Sequence, residues 1–223
     1  MEQLRRGMVV DFAHELRTPL TSVRGYLEAL ADGVVQPTRE TFTILQDEIL
    51  RLVRLVEDLH QLTKADAARA YLSRESVNLS DLVHQVLELH RFQFQSRDIE
   101  VTTELSEDGT TVLADRDKLL QVLRNLVQNA GQYTPEGGTL RVTAERDADN
   151  AKVTFANTYA GVTEADMSSI FERFYRVEKS RSRESGGAGI GLSIVKELVD
   201  AHGGQVGAEL AGDEIRFWFS VPA

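Results

Sequence analysis

Apolar residues recur every three or four positions in the first sixty residues, which is the spacing of one face of an α-helix. A turn at Asp32-Gly33 divides the pattern into two stripes. The first consists of Leu4, Met8, Phe12, Leu16, Leu20, Val23, Leu27 and Leu30, and the second of Phe42, Leu45, Ile49, Leu52, Val56 and Leu59. The strict alternation of three- and four-residue steps in the second stripe is typical of a coiled-coil seam.

This pattern predicts a helical hairpin with a wide apolar surface. Ile44, Val53, Leu55 and Leu62 broaden the second stripe beyond what one partner helix can cover. We therefore expect two copies of the chain to form a dimeric four-helix bundle through residues 1–66. The alternative is a hairpin that packs on the second part of the same chain.

The hydrophobic pattern changes after residue 66. Residues 67–76 show no sustained period and are interpreted as a linker, followed by a second domain at 77–223. This domain shows helical patterns beginning near Ser80-Asp81 and at about 117–132 and 190–201, and alternating patterns at 99–105, 140–144, 153–155 and 215–221. Helices and strands in this order predict an α+β sandwich, a sheet covered on one face by helices.

Composition narrows the possible functions. The 223 residues include 25 Lys and Arg against 35 Asp and Glu, a net charge of −10, which argues against binding to nucleic acid or to an anionic membrane. The chain has no cysteine, so disulfides and thiolate metal sites are excluded. No apolar run approaches the roughly 18 residues of a membrane span, and the first ten residues are too short and too charged for a signal peptide.

The segment DFAHELRTPL, residues 11–20, is the first candidate for chemistry. His14 lies about 200° around the helix from both Phe12 and Leu16, so it points away from the apolar stripe. Glu15 could take a proton from the imidazole, and Thr18 brings a hydroxyl one turn further along the same face. Pro19 lacks the N–H that would bond to the carbonyl of Glu15. The alternative is an exposed histidine on an ordinary amphipathic helix.

Two further segments suggest phosphate binding. Asn125 and Asn129 share one face of a predicted helix, where their amide oxygens suit a hard cation such as Mg²⁺; the alternative is two solvated amides. Four glycines, Gly186, Gly187, Gly189 and Gly191, precede another helix and let the chain approach a polyphosphate, although a flexible turn would need them too. Residues 172–184 carry a net charge of +2 and are a candidate phosphate-facing lid.

Taken in order, four segments resemble the catalytic core of sensor histidine kinases of two-component systems. FAHELRTPL is similar to the phosphoacceptor box, NLVQNAGQYTPEGG to the asparagine box, IFERFYR to the phenylalanine box and GGAGIGLSIVK to the second glycine box. The resemblance covers nearly the whole chain. It implies a dimerisation and phosphotransfer hairpin followed by a Bergerat-type ATP-binding domain. It also implies a homodimer, a response regulator receiver domain as partner, and a cytoplasmic catalytic portion of a membrane-anchored protein.

The resemblance also implies roles for individual residues. His14 is the residue phosphorylated from ATP, Glu15 the assisting base, and Thr18 the group that positions water when the regulator is dephosphorylated. Asn125 and Asn129 hold Mg²⁺ and phosphates. The nucleotide site further includes Gln132, Tyr133, Asn157, Gly161, Phe171, Tyr175, Arg176, Lys179, Arg181, Gly187, Gly189, Gly191 and Leu192.

Three positions depart from the family pattern. Asn157 stands where the family has an aspartate that accepts a hydrogen bond from adenine, and the lost charge could cost on the order of 1 kcal/mol. Tyr159 replaces a glycine. Gln132 replaces a lysine near the phosphates, for which the lid residues Lys179, Arg181 and Arg183 could compensate. These departures leave an alternative function, a nucleotide-impaired protein that acts as a phosphatase or as a signalling scaffold.

Overall fold

The structure is a computed structural model that describes residues 2–68, 71–106, 110–177 and 189–223. It divides into a helical unit, which contains residues 2–63, and an α/β unit, which contains the described residues from 64 onward. The helical hairpin and the helix-covered sheet expected from the sequence are both present, so the predicted fold class is confirmed.

The helical unit consists of two 30-residue helices, α1 (Glu2–Ala31) and α2 (Arg39–Ala68). The predicted turn at Asp32-Gly33 separates them, and the Thr38 hydroxyl caps the start of α2 by accepting a hydrogen bond from the Thr41 amide at 3.2 Å. Phe12, Leu45 and Leu55 are buried.

Part of the predicted apolar stripe stays exposed in a single chain. Its members lie seven residues apart on each helix, and each exposes between 50% and 56% of its surface: Leu20 and Leu27 on α1, and Phe42, Ile49 and Val56 on α2. A seven-residue repeat marks one side of a helix, so these side chains form one continuous apolar face on each helix. We call these five residues the heptad stripe.

The α/β unit is built on a five-stranded sheet with strand order β2-β4-β5-β7-β6. Strands β2 and β4 are parallel and the other neighbours are antiparallel. The strands are β2 (Glu100–Leu105), β4 (Thr139–Asp147), β5 (Asn150–Thr158), β6 (Gln205–Ala211) and β7 (Glu214–Pro222). A separate two-stranded sheet pairs β1 (Glu75–Asn78) with β3 (Thr111–Ala114).

Three helices pack on the five-stranded sheet, namely α3 (Leu79–Gln95), α4 (Arg116–Tyr133) and α5 (Gly191–Ala201). Apolar residues alternate along β4 and β7 as the sequence predicted, and residues two apart on a strand point to the same face. The helices cover the face that carries these apolar residues. The buried residues at the predicted positions are Leu140, Val142, Ala144, Ile215, Phe217, Phe219 and Val221.

Helix α3 begins slightly earlier than the sequence suggested. The prediction placed its start near Ser80-Asp81, but the cap is Asn78, whose side chain accepts a hydrogen bond from the Asp81 amide at 3.3 Å. The Ser80 hydroxyl instead donates to the Ser106 carbonyl at 2.8 Å.

At the other end of the chain, the Ala223 amide donates to the carbonyl of Asp149, in the turn before β5, at 3.0 Å.

None of the described helices is both long enough and apolar enough to cross a membrane.

Candidate functional site

The segment that resembles the phosphoacceptor box, residues 11–20, lies near the middle of α1. His14 and Thr18 are both exposed, one helical turn apart on the same face. The Thr18 hydroxyl lies 3.5 Å from the carbonyl of His14, a long hydrogen bond that leaves the hydroxyl accessible to other partners. Helix α1 continues through Pro19, which is buried. The imidazole of His14 is therefore presented to solvent by a continuous helix.

Glu15 points toward the second helix of the hairpin. Its carboxylate is half-buried and lies 3.8 Å from the guanidinium of Arg51, which is 19% exposed and also pairs with Glu48 at 3.6 Å. Arg51 was not identified from the sequence. The opposition of Glu15 and Arg51 depends on the register of the two antiparallel helices, and the apolar period alone does not fix that register.

The asparagine pair lies on the second half of α4. Asn125 and Asn129 are both half-buried, one turn apart. The Nδ2 atom of Asn125 is buried and has no hydrogen-bond partner among the described residues. Gly191, the first residue of α5, lies against this side chain, since a Cβ atom there would come within 3.9 Å of Asn125 Cγ. The structure thus joins the asparagine box to the second glycine box.

The start of α5 provides backbone donors. Its N-cap position is Ile190, and no side chain of the described residues caps this end. Gly191 and Leu192, both half-buried, occupy its first turn. Amides in the first turn of a helix have no acceptor within the helix, so they suit an anionic group.

Asn157 lies near the end of β5 and is 1% exposed. Its Nδ2 donates to the carbonyl of Thr158 at 2.9 Å, whereas its buried Oδ1 has no partner among the described residues. Exchanging the two amide atoms would place Oδ1 against the carbonyl oxygen of Thr158, where neither atom can donate. The hydrogen bond therefore identifies Oδ1 as the atom without a partner. A buried acceptor without a partner is costly, which makes this oxygen a candidate for binding a ligand donor.

The phenylalanine box contacts the second glycine box at Gly189. The Phe174 amide donates to the Gly189 carbonyl at 2.9 Å. Gly189 has φ +72°, and a Cβ atom there would lie 2.7 Å from the carbonyl oxygen of Tyr175 and 3.2 Å from Cγ of Arg176. Only glycine fits both this conformation and this close approach. Phe171 anchors the same segment, with its ring edge-on to the buried Phe217 at 6.4 Å between centroids.

An acidic residue that the sequence analysis missed holds Tyr175. Asp166 lies in a short 3₁₀ helix, Glu164–Ser168. Its carboxylate accepts hydrogen bonds from the Thr163 hydroxyl at 2.6 Å, the Thr163 amide at 2.7 Å and the Tyr175 hydroxyl at 2.5 Å. The Thr163 hydroxyl contributes most to lowering the pKa of Asp166, and the bond to Asp166 raises the pKa of Tyr175. The Thr-x-x-Asp spacing of a capping box was the available signal.

The remaining predicted residues occupy distinct places. Gly161 is exposed with φ +81°, a left-handed conformation that favours the glycine present there. Tyr159 is half-buried and its amide donates to the Asp213 carbonyl at 3.3 Å. Gln132 and Tyr133 end α4, half-buried and 48% exposed respectively. Lys179, Arg181 and Gly187 lie outside the described residues, as does most of the lid with Arg183.

Two protein-family models match the chain. Residues 4–68 match the His Kinase A (phospho-acceptor) domain, and residues 114–223 match the histidine kinase-, DNA gyrase B- and HSP90-like ATPase domain. The first match includes His14, and the second includes both asparagines of α4 and the glycines near α5.

Curated relatives match the chain over nearly its whole length. It is 42% identical over 205 residues to the signal transduction histidine-protein kinase BaeS of Escherichia coli, an alignment that covers 92% of this chain and 44% of BaeS. It is 36% identical over 229 residues to the sensor histidine kinase WalK of Bacillus subtilis, with 100% and 37% covered. The chain thus spans less than half the length of these two relatives.

Solved structures agree with this relationship. The histidine kinase AdeS of Acinetobacter baumannii matches with a TM-score of 0.74 and 26% identity, over 94% of this chain and 97% of AdeS. The histidine kinase ThkA, in complex with the response regulator protein TrrA, matches with a TM-score of 0.79 and 26% identity, over 99% of this chain and 63% of ThkA. The chain therefore belongs to the sensor histidine kinases of two-component systems, of which it carries the phosphoacceptor and ATPase domains.

Proposed function

We propose that this chain is an ATP-dependent protein-histidine kinase that phosphorylates His14 and passes the phosphoryl group to an aspartate of a response regulator. One observation carries the proposal: the same chain presents an exposed histidine beside a carboxylate and a nucleotide site with an unpartnered buried acceptor. The ThkA complex with TrrA supports a response regulator receiver domain as the partner.

Two of the buried polar atoms without a partner among the described residues suit the two ends of ATP. The Oδ1 atom of Asn157 would accept a hydrogen bond from the exocyclic amine of adenine, and Nδ2 of Asn125 would donate to a phosphate oxygen. The first-turn amides of α5 at Gly191 and Leu192 would donate to the same phosphates. Tyr133 at the end of α4 would border the adenine and ribose, and Gln132 would lie near the phosphates. Phe171, Tyr175 and Arg176 would form the base of the lid.

Mg²⁺ fits the same site through amide oxygens. Asn125 and Asn129 would hold it, and the described residues contain no cluster of three histidine or carboxylate side chains that could bind a metal on their own. Mg²⁺ commonly takes most of its ligands from phosphates and water, so an ion that arrives with the nucleotide suits this donor set. When bound, it supplies positive charge that neutralises the phosphate oxygens.

The chemistry assigned to the helical unit is phosphoryl transfer to nitrogen. One imidazole nitrogen of His14 attacks the γ-phosphorus, the new N–P bond forms as the bond to the bridging oxygen of ADP breaks, and Glu15 accepts the proton from the other ring nitrogen. Arg51 keeps the Glu15 carboxylate on the side of α1 that faces α2. Positioning and charge neutralisation supply most of the catalysis in such reactions.

Dephosphorylation of the response regulator is a second proposed activity of the same helix. The exposed hydroxyl of Thr18, weakly held by the His14 carbonyl, is available to position a water molecule. The alternative of a nucleotide-impaired scaffold rests on Asn157 and Tyr159. The orphaned acceptor on Asn157 favours the kinase, because it retains the hydrogen-bonding role of the family's aspartate without its charge.

The heptad stripe supports a homodimer. The heptad stripe leaves a continuous apolar face on each helix, which a second copy would cover in a four-helix bundle; its residues are Leu20, Leu27, Phe42, Ile49 and Val56.

We keep residues 1–66, 67–76 and 77–223 as the dimerisation, linker and catalytic regions. The backbone amide of Ser73, within the predicted linker, donates to the carboxylate of Asp115 at 3.0 Å, so this residue is attached to the α/β unit. Membrane anchoring of a longer protein, with this portion in the cytoplasm, stays a prediction.

Autophosphorylation with γ-labelled ATP and Mg²⁺ tests the proposal. The wild-type chain should acquire label that is lost in acid and stable in base, as phosphohistidine is. His14→Ala should abolish the label, whereas His84→Ala, which removes an exposed histidine of α3, should leave it unchanged. Thr18→Ala should still be labelled, because its hydroxyl has no part in the attack on ATP.

Absence of label in the wild type would reject the kinase and favour the scaffold. Label that persists in His14→Ala would show that the phosphoacceptor was misassigned.

A further inference from the structure

Arg97, in the turn between α3 and β2, reaches the end of α4. Its Nη1 donates to the carbonyls of Gly131 and, at 3.4 Å, Gln132, and its Nη2 donates to the carbonyl of Thr134 at 2.8 Å. The last carbonyls of a helix have no amide partners within the helix and carry its negative dipole end. A guanidinium satisfies several of them at once and matches their charge.

The chain around Arg97 encloses the same turn from other directions. The Gly137 amide donates to the Arg97 carbonyl at 3.1 Å, and the Glu100 amide donates to the Gly138 carbonyl at 3.0 Å. Gly131 lies against Gln93 so closely that a Cβ atom there would come within 2.8 Å of its Nε2. The turn 131–138 is therefore held by the segment 93–100 through two backbone hydrogen bonds and the packing of Gln93.

This turn carries Tyr133, which the proposed function places at the adenine and ribose. Tyr133 is 48% exposed, so packing of its own side chain does little to fix its position. Its position depends on the backbone on either side, whose carbonyls at Gly131, Gln132 and Thr134 are the three that Arg97 binds.

We infer that Arg97 is a positioning residue for the nucleotide: by bridging the carbonyls of Gly131 and Thr134 it holds Tyr133 in place at the base and ribose. The inference rests on the proposed function. Arg97 lies outside all four sequence boxes and acts through the backbone, without a contact to the nucleotide of its own. Its removal should weaken binding through disorder of the turn in the free protein, an entropic cost that binding must then overcome.

The test measures binding of ADP and of a non-hydrolysable ATP analogue by calorimetry. Arg97→Met keeps the length of the side chain but removes every donor, and Arg97→Lys keeps the charge on a single nitrogen. We expect Arg97→Met to weaken both nucleotides by the same factor, about 3- to 10-fold, because the disturbed end is the adenine and ribose common to both. Arg97→Lys should lie between wild type and Arg97→Met, since one ammonium cannot reproduce the fork geometry.

A matched control is Arg91→Ala, which removes an exposed arginine of α3 that pairs with Glu88, and it should leave both affinities unchanged. In autophosphorylation, Arg97→Met should raise the KM for ATP with a smaller change in kcat. A general loss of folded protein would instead lower kcat without affecting KM.

Each outcome decides the inference. Unchanged affinity in folded Arg97→Met would overturn it, as would a loss confined to the ATP analogue, which would place the effect at the phosphates. If Arg97→Met does not fold, Arg97→Lys decides, and wild-type affinity in that variant would reject the bridging role. Failure of the wild type to bind either nucleotide would reject the proposed function itself, a result separate from any effect of Arg97.

Discussion

At the scale of single residues, buried polar groups explain how the helices of the α/β unit are joined. His202 follows α5 and is 5% exposed. Its Nδ1 donates to the Leu198 carbonyl at 2.7 Å, and its Nε2 accepts from the amide of Asp115, the N-cap of α4, at 3.1 Å. This pairing requires a neutral ring. The end of α5 is thus linked to the start of α4, the other helix of the proposed nucleotide site, by a titratable group.

The stability of the α/β unit should therefore fall in mild acid. Burial lowers the pKa of His202 below its ordinary value of 6.5, against raising effects from the Leu198 carbonyl and Asp115 and with a further lowering effect from Arg74. The unfolded chain then binds a proton more readily than the folded one. The stability that His202 contributes is complete above about pH 6.5 and is lost as the pH falls below that value.

Urea unfolding at a series of pH values checks this expectation. In His202→Gln the fall in unfolding free energy below about pH 6.5 should be shallower than in the wild type, because the amide can replace both hydrogen bonds without titrating. His84→Gln, at an exposed site, should keep the wild-type slope. Equal slopes in wild type and His202→Gln would show that other groups cause the acid sensitivity.

At the scale of elements, the proposed nucleotide site depends on short segments that hold longer elements in position. The 3₁₀ helix Glu164–Ser168 holds the phenylalanine box through Asp166 and Tyr175, and Gly189 holds it to the start of α5. Neither contact contributes much apolar burial. Both determine where the backbone of the lid's base lies relative to α5.

The Asp166–Tyr175 contact should affect ATP use more than stability. Tyr175→Phe removes the hydroxyl donor while keeping the ring, and we expect a higher KM for ATP with little change in the thermal midpoint. Asp166→Asn should have a similar effect. If the two residues act through one hydrogen bond, the double variant should be no worse than the more impaired single variant.

Tyr71→Phe, at a tyrosine that is 88% exposed, is the control and should behave as wild type. Fully additive losses in the double variant would mean that the two residues act independently.

The elements differ in how well the sequence predicted them. Helices α4 and α5 and the inward faces of β4 and β7 were predicted closely, because one face of each is buried and the apolar period records it. Strand β1 fell partly in the predicted linker, since four residues are too few to show a period. Strand β6 was missed because it is an edge strand whose residues are mostly half-exposed.

The site followed the same rule. Its local motifs were visible in the sequence. In the structure, Asn157 has a buried acceptor without a partner among the described residues, and Gly189 has a positive φ and a close contact with Tyr175. Arg51 and Arg97 could not be found in this way, because each acts on a partner whose position is set by helix register or by a turn. The capping-box spacing marks Asp166, but it does not indicate the contact between Asp166 and Tyr175. Such relationships arise only when the elements pack.

At the scale of the whole molecule, the proposed reaction is divided between two units. His14 lies in the helical unit, and Asn125 and Asn157 lie in the α/β unit, so neither unit holds all the groups required. The heptad stripe adds a further requirement, because a lone hairpin exposes apolar surface on both helices. The complete molecule is then expected to be a pair of chains.

Light scattering coupled to size-exclusion chromatography tests this expectation. The wild type should elute as a dimer, and Ile49→Glu should shift it toward monomer, because a carboxylate would be buried at the centre of the heptad stripe without a partner. Val34→Glu is the control, since Val34 is 79% exposed and lies between the helices outside the stripe. A dimer that survives Ile49→Glu unchanged would place the interface on another surface.

The hydrogen bond between Ala223 and Asp149 has a practical consequence for attaching probes. Asp149 precedes the first residue of β5 and Asn157 lies near its last, a separation of eight residues or about 27 Å along an extended strand. An affinity tag, a fluorophore or a surface linker joined after Ala223 would leave the sheet beside the start of β5, at the end of that strand remote from the proposed adenine contact. Immobilised or labelled protein could then report nucleotide binding without the attachment obstructing entry.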